Sequence, residues 1–157
     1  IVDFFVAQYR KEGYPEEYLV CLVVTVFDLK TKELTYCNAG LHICPFLVGE
    51  EGNIIELSNA GLPISTAISA KLLKYQDSSV ALSPAMTLFL MSDGLPEQSS
   101  NHEFYEERLK RLVPEIHRME PARIIQRIHE DFTVFLGHER IRDDITLMVA
   151  KLPQTLN

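Results

Sequence analysis

The sequence predicts an α+β fold in which antiparallel strands come first and helices gather towards the C-terminal half. Three observations carry this. Four short strand patterns separated by turns fall within residues 18–57, two nearly continuous apolar runs occupy residues 18–27 and 86–91, and helical periodicity extends across residues 102–137. Strands in such quick succession argue for a meandering antiparallel sheet rather than alternating strand–helix–strand units. A length of 157 residues with 46% apolar content fits one unit, residues 1–157, large enough to bury a core without disulfides.

Each element has its own signal. Ile1, Val2, Phe4, Phe5, Val6 and Tyr9 form an apolar stripe at helical spacing, ended by Gly13 and Pro15. The stripe is already under way at Ile1, so the helix is expected to begin upstream and the chain to be a piece of a longer protein. Residues 18–27 are rich in β-branched side chains and too uniformly apolar for one wet face, which predicts a strand covered on both sides. A polar turn at 28–33 leads to a second strand, 34–38, and the pair reads as a hairpin broken by Ala39-Gly40. Residues 46–48 and 54–57 read as another hairpin around 50–53. Residues 58–70, rich in Ser, Ala, Gly and Pro, read as a loop. Residues 71–75 and 80–82 carry modest strand patterns.

The run at 86–91 is predicted to be a central strand, stopping at Ser92-Asp93-Gly94. A helix is predicted over 102–113, with Phe104, Leu109, Leu112 and Val113 at helical spacing. A second starts at Pro121, places Ile124, Ile125, Ile128, Phe132 and Phe135 on one face, and ends at Gly137. The closing strand, 145–152, is entered through Arg142-Asp143-Asp144.

Charge narrows the function classes. Fifteen basic against 22 acidic side chains give a net −7, so neither nucleic acid nor an anionic membrane surface is an expected partner. The apolar stretch at 19–27 is far short of the ~20 residues of a membrane span, and no secretory signal pattern is read. Cys21, Cys37 and Cys44, an odd number at non-motif spacing, are expected to be reduced thiols of a cytoplasmic protein.

Two acidic positions stand out. Asp93 sits where one apolar strand stops, followed by Gly94, which permits a sharp turn or a close approach. Asp143 and Asp144 sit where the last strand starts. If those strands are antiparallel neighbours, the carboxylates converge at one rim, and hard oxygen donors there suit Mg²⁺ or Mn²⁺ rather than Zn²⁺. The alternative is that aspartates at strand ends merely shape turns. No Gly-x-Ser-x-Gly elbow or Gly-rich phosphate loop is present. His117 and His129 fall in or beside helices, His102 opens one, His138 lies in a polar loop, and His42 alone is near a sheet edge. The cysteines read as inert core thiols.

The order of segments is similar to that of a known family. Val26-Phe27-Asp28 into Leu34-Thr-Tyr-Cys-Asn38-Ala39-Gly40, Leu88-Phe-Leu-Met-Ser-Asp93-Gly94-Leu-Pro-Glu97, Phe104-Tyr-Glu-Glu107-Arg108-Leu109 and Asp143-Asp144-Ile145-Thr146 occur in sequence. Together they resemble the metal-dependent serine/threonine phosphatases of the PPM (type 2C) superfamily, in the bacterial branch typified by sporulation stage II protein E and the stress-response phosphatases. The resemblance implies an α-β-β-α sandwich of largely antiparallel sheets flanked by helices, with two Mn²⁺ or Mg²⁺ ions in the complete domain. It implies that Asp93 and Asp143 are metal ligands, that Gly94 and Asp144 support them, and that no catalytic residue beyond the ligands is needed. The implied chemistry is direct attack of a cation-activated water on phosphoserine or phosphothreonine.

The family's earlier acidic motifs would lie upstream of Ile1, so the chain is expected to be the C-terminal part of such a domain and incomplete as an enzyme. Ala85-Met86 stands at the usual Gly-Asp, Leu41 precedes His42, and Tyr105 takes a usual Gly position. The implied partner is a phosphorylated protein, such as an anti-anti-sigma-type regulator in sigma-factor partner switching. The exposed first helix suggests a homodimer. The alternative function is a catalytically inactive, phosphatase-like regulatory or binding module.

Overall fold

Backbone pairing sorts the strands into two main sheets, each within its own compact unit of the computed structural model, which describes residues 2–59, 61–69 and 71–154. One unit takes the residues up to 42 together with 58–82; the other takes 43–57 and the chain from 83 onward.

The first unit opens with α1 (Val2–Glu12), which ends where Gly13 turns into the left-handed region at φ +67°. Its sheet consists of β1 (Leu22–Asp28), β2 (Glu33–Ala39) and β5 (Ser78–Ala81) in the antiparallel order β1-β2-β5. Val2, Val6 and Tyr9 of the helix join Leu22, Val24, Cys37, Ala39 and Ile64 in the core of this unit. The expected β1–β2 hairpin is present, pairing Leu22 with Ala39 and Asp28 with Glu33. The Asp28 carboxylate accepts the N–H groups of Thr31 and Lys30, at 3.1 and 2.8 Å, which fixes the turn and lowers its pKa.

Three expectations are corrected in this unit. β1 starts later than 18 and is an edge strand with Val26 47% exposed, so its apolar run is not covered on both faces. β-branched residues favour strands through backbone fit as well as through burial, and here the first effect accounts for the run. Cys21, just before β1, is exposed rather than a core thiol. Residues 71–75 are not a strand, because Leu72 and Lys74 donate their N–H groups to Ser69 and Leu72, closing tight turns.

The second unit holds β3 (Phe46–Val48), β4 (Ile54–Glu56), β6 (Thr87–Met91) and β9 (Leu147–Lys151), antiparallel in the order β4-β3-β6-β9. The four early strands therefore do not make one meander. The two hairpins form as expected but enter different sheets, because sheet membership follows which apolar faces can be buried together and not proximity along the chain. β6 is central, flanked by β3 and β9, as its uniformly apolar sequence predicts. Phe46 and Phe89 are register partners with rings stacked at 5.0 Å.

Two helices supply the core of this unit. Leu109, Val113 and Ile116 of α2 (Tyr105–Ile116) and Ile124, Ile128, Phe132 and Phe135 of α3 (Pro121–Leu136) form one buried cluster with Phe46, Val48, Phe89 and Met91. Ile125, assigned to the same face, is 40% exposed because the buried stripe is narrower than expected. α2 starts three residues later than 102. Before it, β7 (Ser99–Ser100) and β8 (Glu103–Phe104) form a minute hairpin whose two loop residues, Asn101 and His102, have φ of +50° and +67°. That is the signature of the two-residue mirror-image turn that matches strand twist. Among the described residues, no helix is long and apolar enough to cross a membrane.

Candidate functional site

The antiparallel pairing of β6 with β9 places Met91 opposite Leu147, so the end of one strand adjoins the start of the other. Ser92 extends the contact. Its N–H donates to the Thr146 carbonyl at 3.0 Å, and its hydroxyl donates to the Asp144 carbonyl at 3.0 Å while accepting the Thr146 N–H at 2.9 Å. The next residue is Asp93, and the segments 92–94 and 143–146 thus form one rim, as the sequence pattern anticipated.

Gly94 is required here by space. A Cβ on it would lie 2.4 Å from the Asp144 carbonyl oxygen and 3.2 Å from the Asp143 carbonyl carbon. Beyond Gly94 the chain makes a helical turn in which the Glu97 N–H donates to the Asp93 carbonyl at 2.9 Å. That turn brings the carboxylates of Asp93 and Glu97 within 4.8 Å of each other. Asp143 is exposed, with Oδ1 accepting the Asp144 N–H at 2.7 Å. Gly94, Glu97 and Asp143 line one cavity of about 530 Å³ together with Ile43, Pro96, Gln98, Phe104, Glu106 and Arg142.

Electrostatics distinguish the acids around this cavity. Glu106 is engaged by Lys110 at 2.8 Å, and Lys110 also holds Glu56 at 2.7 Å; these two contacts raise the lysine pKa, so it stays cationic. Glu97 and Asp143 face the same space as Arg142. An arrangement of carboxylate oxygens with Asp93 adjacent has the donor chemistry of a Mg²⁺ or Mn²⁺ site and lacks the sulfur or imidazole pairs of a structural zinc site. The donor set therefore fits the cations that the sequence suggested.

Of the other candidates, Asp144 contributes its main chain to the rim. His42 is exposed and belongs to the first unit, where the Asn38 side chain bonds to Leu41 at both ends, accepting its N–H at 2.8 Å and donating to its carbonyl at 2.6 Å. Asn38 and Ala39 thus end β2 in that unit, and the chain turns at Gly40, at φ +85° and packed against Pro63. His102, His129 and His138 are exposed. His117 is buried, its ring nitrogens facing the carbonyls of Pro114 at 2.8 Å and Glu50 at 3.2 Å. Glu97 closed one of the resembling segments without being read as a ligand, and Gln98 was not singled out. The four-residue spacing from Asp93 was a usable signal for Glu97, whereas nothing in the sequence marked Gln98.

A family model described as Stage II sporulation protein E (SpoIIE) matches residues 5–153. No curated protein matches the sequence at a significant level. Among solved structures, the SiaA-PP2C domain of Pseudomonas aeruginosa superposes with a TM-score of 0.80 at 19% identity, covering 94% of this chain and 57% of that one. The phosphatase domain of the cell fate determinant SpoIIE from Bacillus subtilis gives a TM-score of 0.66 at 16% identity, covering 98% and 74%. The catalytic domain of the serine/threonine protein phosphatase PstP, solved with two manganese ions, gives 0.59 at 16% identity, covering 96% and 66%. At these identities the likenesses show the fold, a mixed helix and antiparallel-sheet fold of the PPM phosphatase type. The chain spans little more than half the length of the SiaA domain.

Proposed function

This chain belongs to the stage II sporulation protein E (SpoIIE) family, and from that premise we propose that it is part of a metal-dependent protein phosphatase acting on phosphoserine or phosphothreonine. The observation that supports this reading is the shared rim of Asp93 and Asp143, with Glu97 one helical turn beyond Asp93. Asp93, Glu97 and Asp143 are the side chains we assign to hold Mn²⁺ or Mg²⁺, consistent with the two manganese ions of PstP. When bound, such ions neutralise phosphoryl oxygens and lower the pKa of water.

The chain's own residues supply placement. Ser92 locks the two strand ends together, and Gly94 lets the Asp93 turn approach the Asp144 main chain. Arg142, which lines the same cavity, carries a cationic group suited to a phosphoryl oxygen. Asp144 and Gly94 support the rim without needing to touch an ion.

The proposed partner is a phosphorylated regulator protein of the anti-anti-sigma type, met in the cytoplasm. Phe4 and Phe5 of α1, 64% and 48% exposed, support association of two copies through that helix, which sedimentation at several concentrations tests. The test of the catalytic reading is release of phosphate from a phosphoserine peptide by the full-length parent protein with Mn²⁺. Activity should be present, abolished by chelator and abolished by Asp93→Asn. Activity that survives chelation would overturn the metal mechanism. Saturable peptide binding without hydrolysis would favour the inactive binding module.

A further inference from the structure

Gln98 follows Glu97 directly, is 1% exposed, and uses its whole side-chain amide on main-chain partners. Its Oε1 accepts the Arg142 N–H at 3.1 Å, and its Nε2 donates to the carbonyls of Arg140 and Ser99, each at 3.2 Å. The Gln98 main chain is anchored in turn, since its carbonyl accepts the Tyr105 N–H at 2.9 Å where α2 begins. The segment it grips, residues 140–143, is irregular and exposed. A buried amide is costly unless every polar atom finds a partner, and here three partners are found, two of them in that segment.

We infer that Gln98 is a positioning residue for the cation site, setting where Asp143 stands relative to Asp93 and Glu97 by holding the main chain one residue before it. The inference rests on the reading of this rim as a metal site. Gln98 itself is neutral and acts only through Arg140 and Arg142. It links the Asp93 turn to the Asp143 turn across 44 positions of sequence, a distance over which local geometry alone cannot hold two ligands in register. Groups bonded behind metal ligands typically contribute about 10–100-fold to affinity.

The test compares the full-length parent protein with its Gln98→Met and Asp93→Asn variants, using Mn²⁺ alone as probe. Free Mn²⁺ is followed by electron paramagnetic resonance, and amide hydrogen exchange is measured without metal. Gln98→Met keeps the side-chain length and removes the amide. It should speed exchange at the Arg142 amide while amides of α3 keep their protection, and it should weaken Mn²⁺ binding by up to about 10-fold, the lower end for groups bonded to ligands themselves. Should the methionine variant fail to fold, Gln98→Leu removes the same amide with a smaller apolar side chain and is read by the same two measurements. Unchanged Mn²⁺ binding in a folded variant whose Arg142 amide has been freed would overturn the inference and leave the metal reading intact. Failure of the unaltered parent protein to bind Mn²⁺ in a manner lost in Asp93→Asn would remove the metal reading and the inference together, even with the exchange result as expected.

Discussion

The backbone of Gly94 lies directly against the carbonyl group of Asp144, so that a Cβ on Gly94 would stand 2.4 Å from that oxygen. The obstacle is main chain on a paired strand end, which cannot swing away as a side chain could. Gly94→Ala must separate the two halves of the rim or strain them. We expect a loss of about 1–3 kcal/mol, the range for overpacking, measured by urea unfolding, together with weaker Mn²⁺ binding.

The assigned ligands should rank by their loss. Asp93→Asn and Asp143→Asn should each reduce Mn²⁺ affinity by more than the roughly 10–100-fold typical of an outer partner. Glu97→Gln should also weaken binding, because its carboxylate lies within 4.8 Å of that of Asp93. Titration calorimetry on the three variants measures this. Binding indifferent to Asp143→Asn would separate the two strand ends functionally.

Ala85 sits at φ +61°, in the left-handed region, with its N–H donated to the Pro153 carbonyl at 3.1 Å. A Cβ in that region costs about 1–2 kcal/mol, while glycine adds about 0.4–1 kcal/mol of freedom to the unfolded chain. Ala85→Gly should therefore stabilise the protein by between about 0 and 1.6 kcal/mol, read as a higher urea midpoint with unchanged slope.

Asp131 joins α3 to α2. It takes two bonds from Arg108, at 2.7 and 2.8 Å, and one from the buried Tyr105 hydroxyl at 3.1 Å. The Arg108 contact, aided by Tyr105, holds the Asp131 pKa below its usual value. A carboxyl with a depressed folded pKa contributes stability above its unfolded pKa of about 3.9, lost as pH falls through the folded value. Asp131→Asn should cost about 1–2 kcal/mol at pH 6, a figure reduced from that of a buried charged bond because Arg108 is 37% exposed. The gap between variant and wild type should shrink below about pH 4. A gap constant down to pH 2 would show that the charge is not what matters.

The element order was largely legible in the sequence. Gly13 and Gly137 ended α1 and α3, Pro121 began α3, and the uniformly apolar run before Asp93 marked β6 as central. These signals are local, since each depends on backbone sterics or on a repeat within a few residues. β1 misled because the same Val-rich composition serves an edge strand and a doubly covered one. The turn at Asn101-His102 was hidden because two non-glycine residues occupy left-handed conformations there.

Most strand and helix segments, and an acidic residue at each of two strand ends, could be read from the chain, because periodicity and turn chemistry act over short stretches. That β6 and β9 are neighbours and that Gln98 grips the segment before Asp143 emerged from the folded molecule alone. Those relations join residues 44 to 64 positions apart. They are settled by which apolar faces are buried together and by which buried polar groups then find partners, neither of which leaves a pattern along the chain.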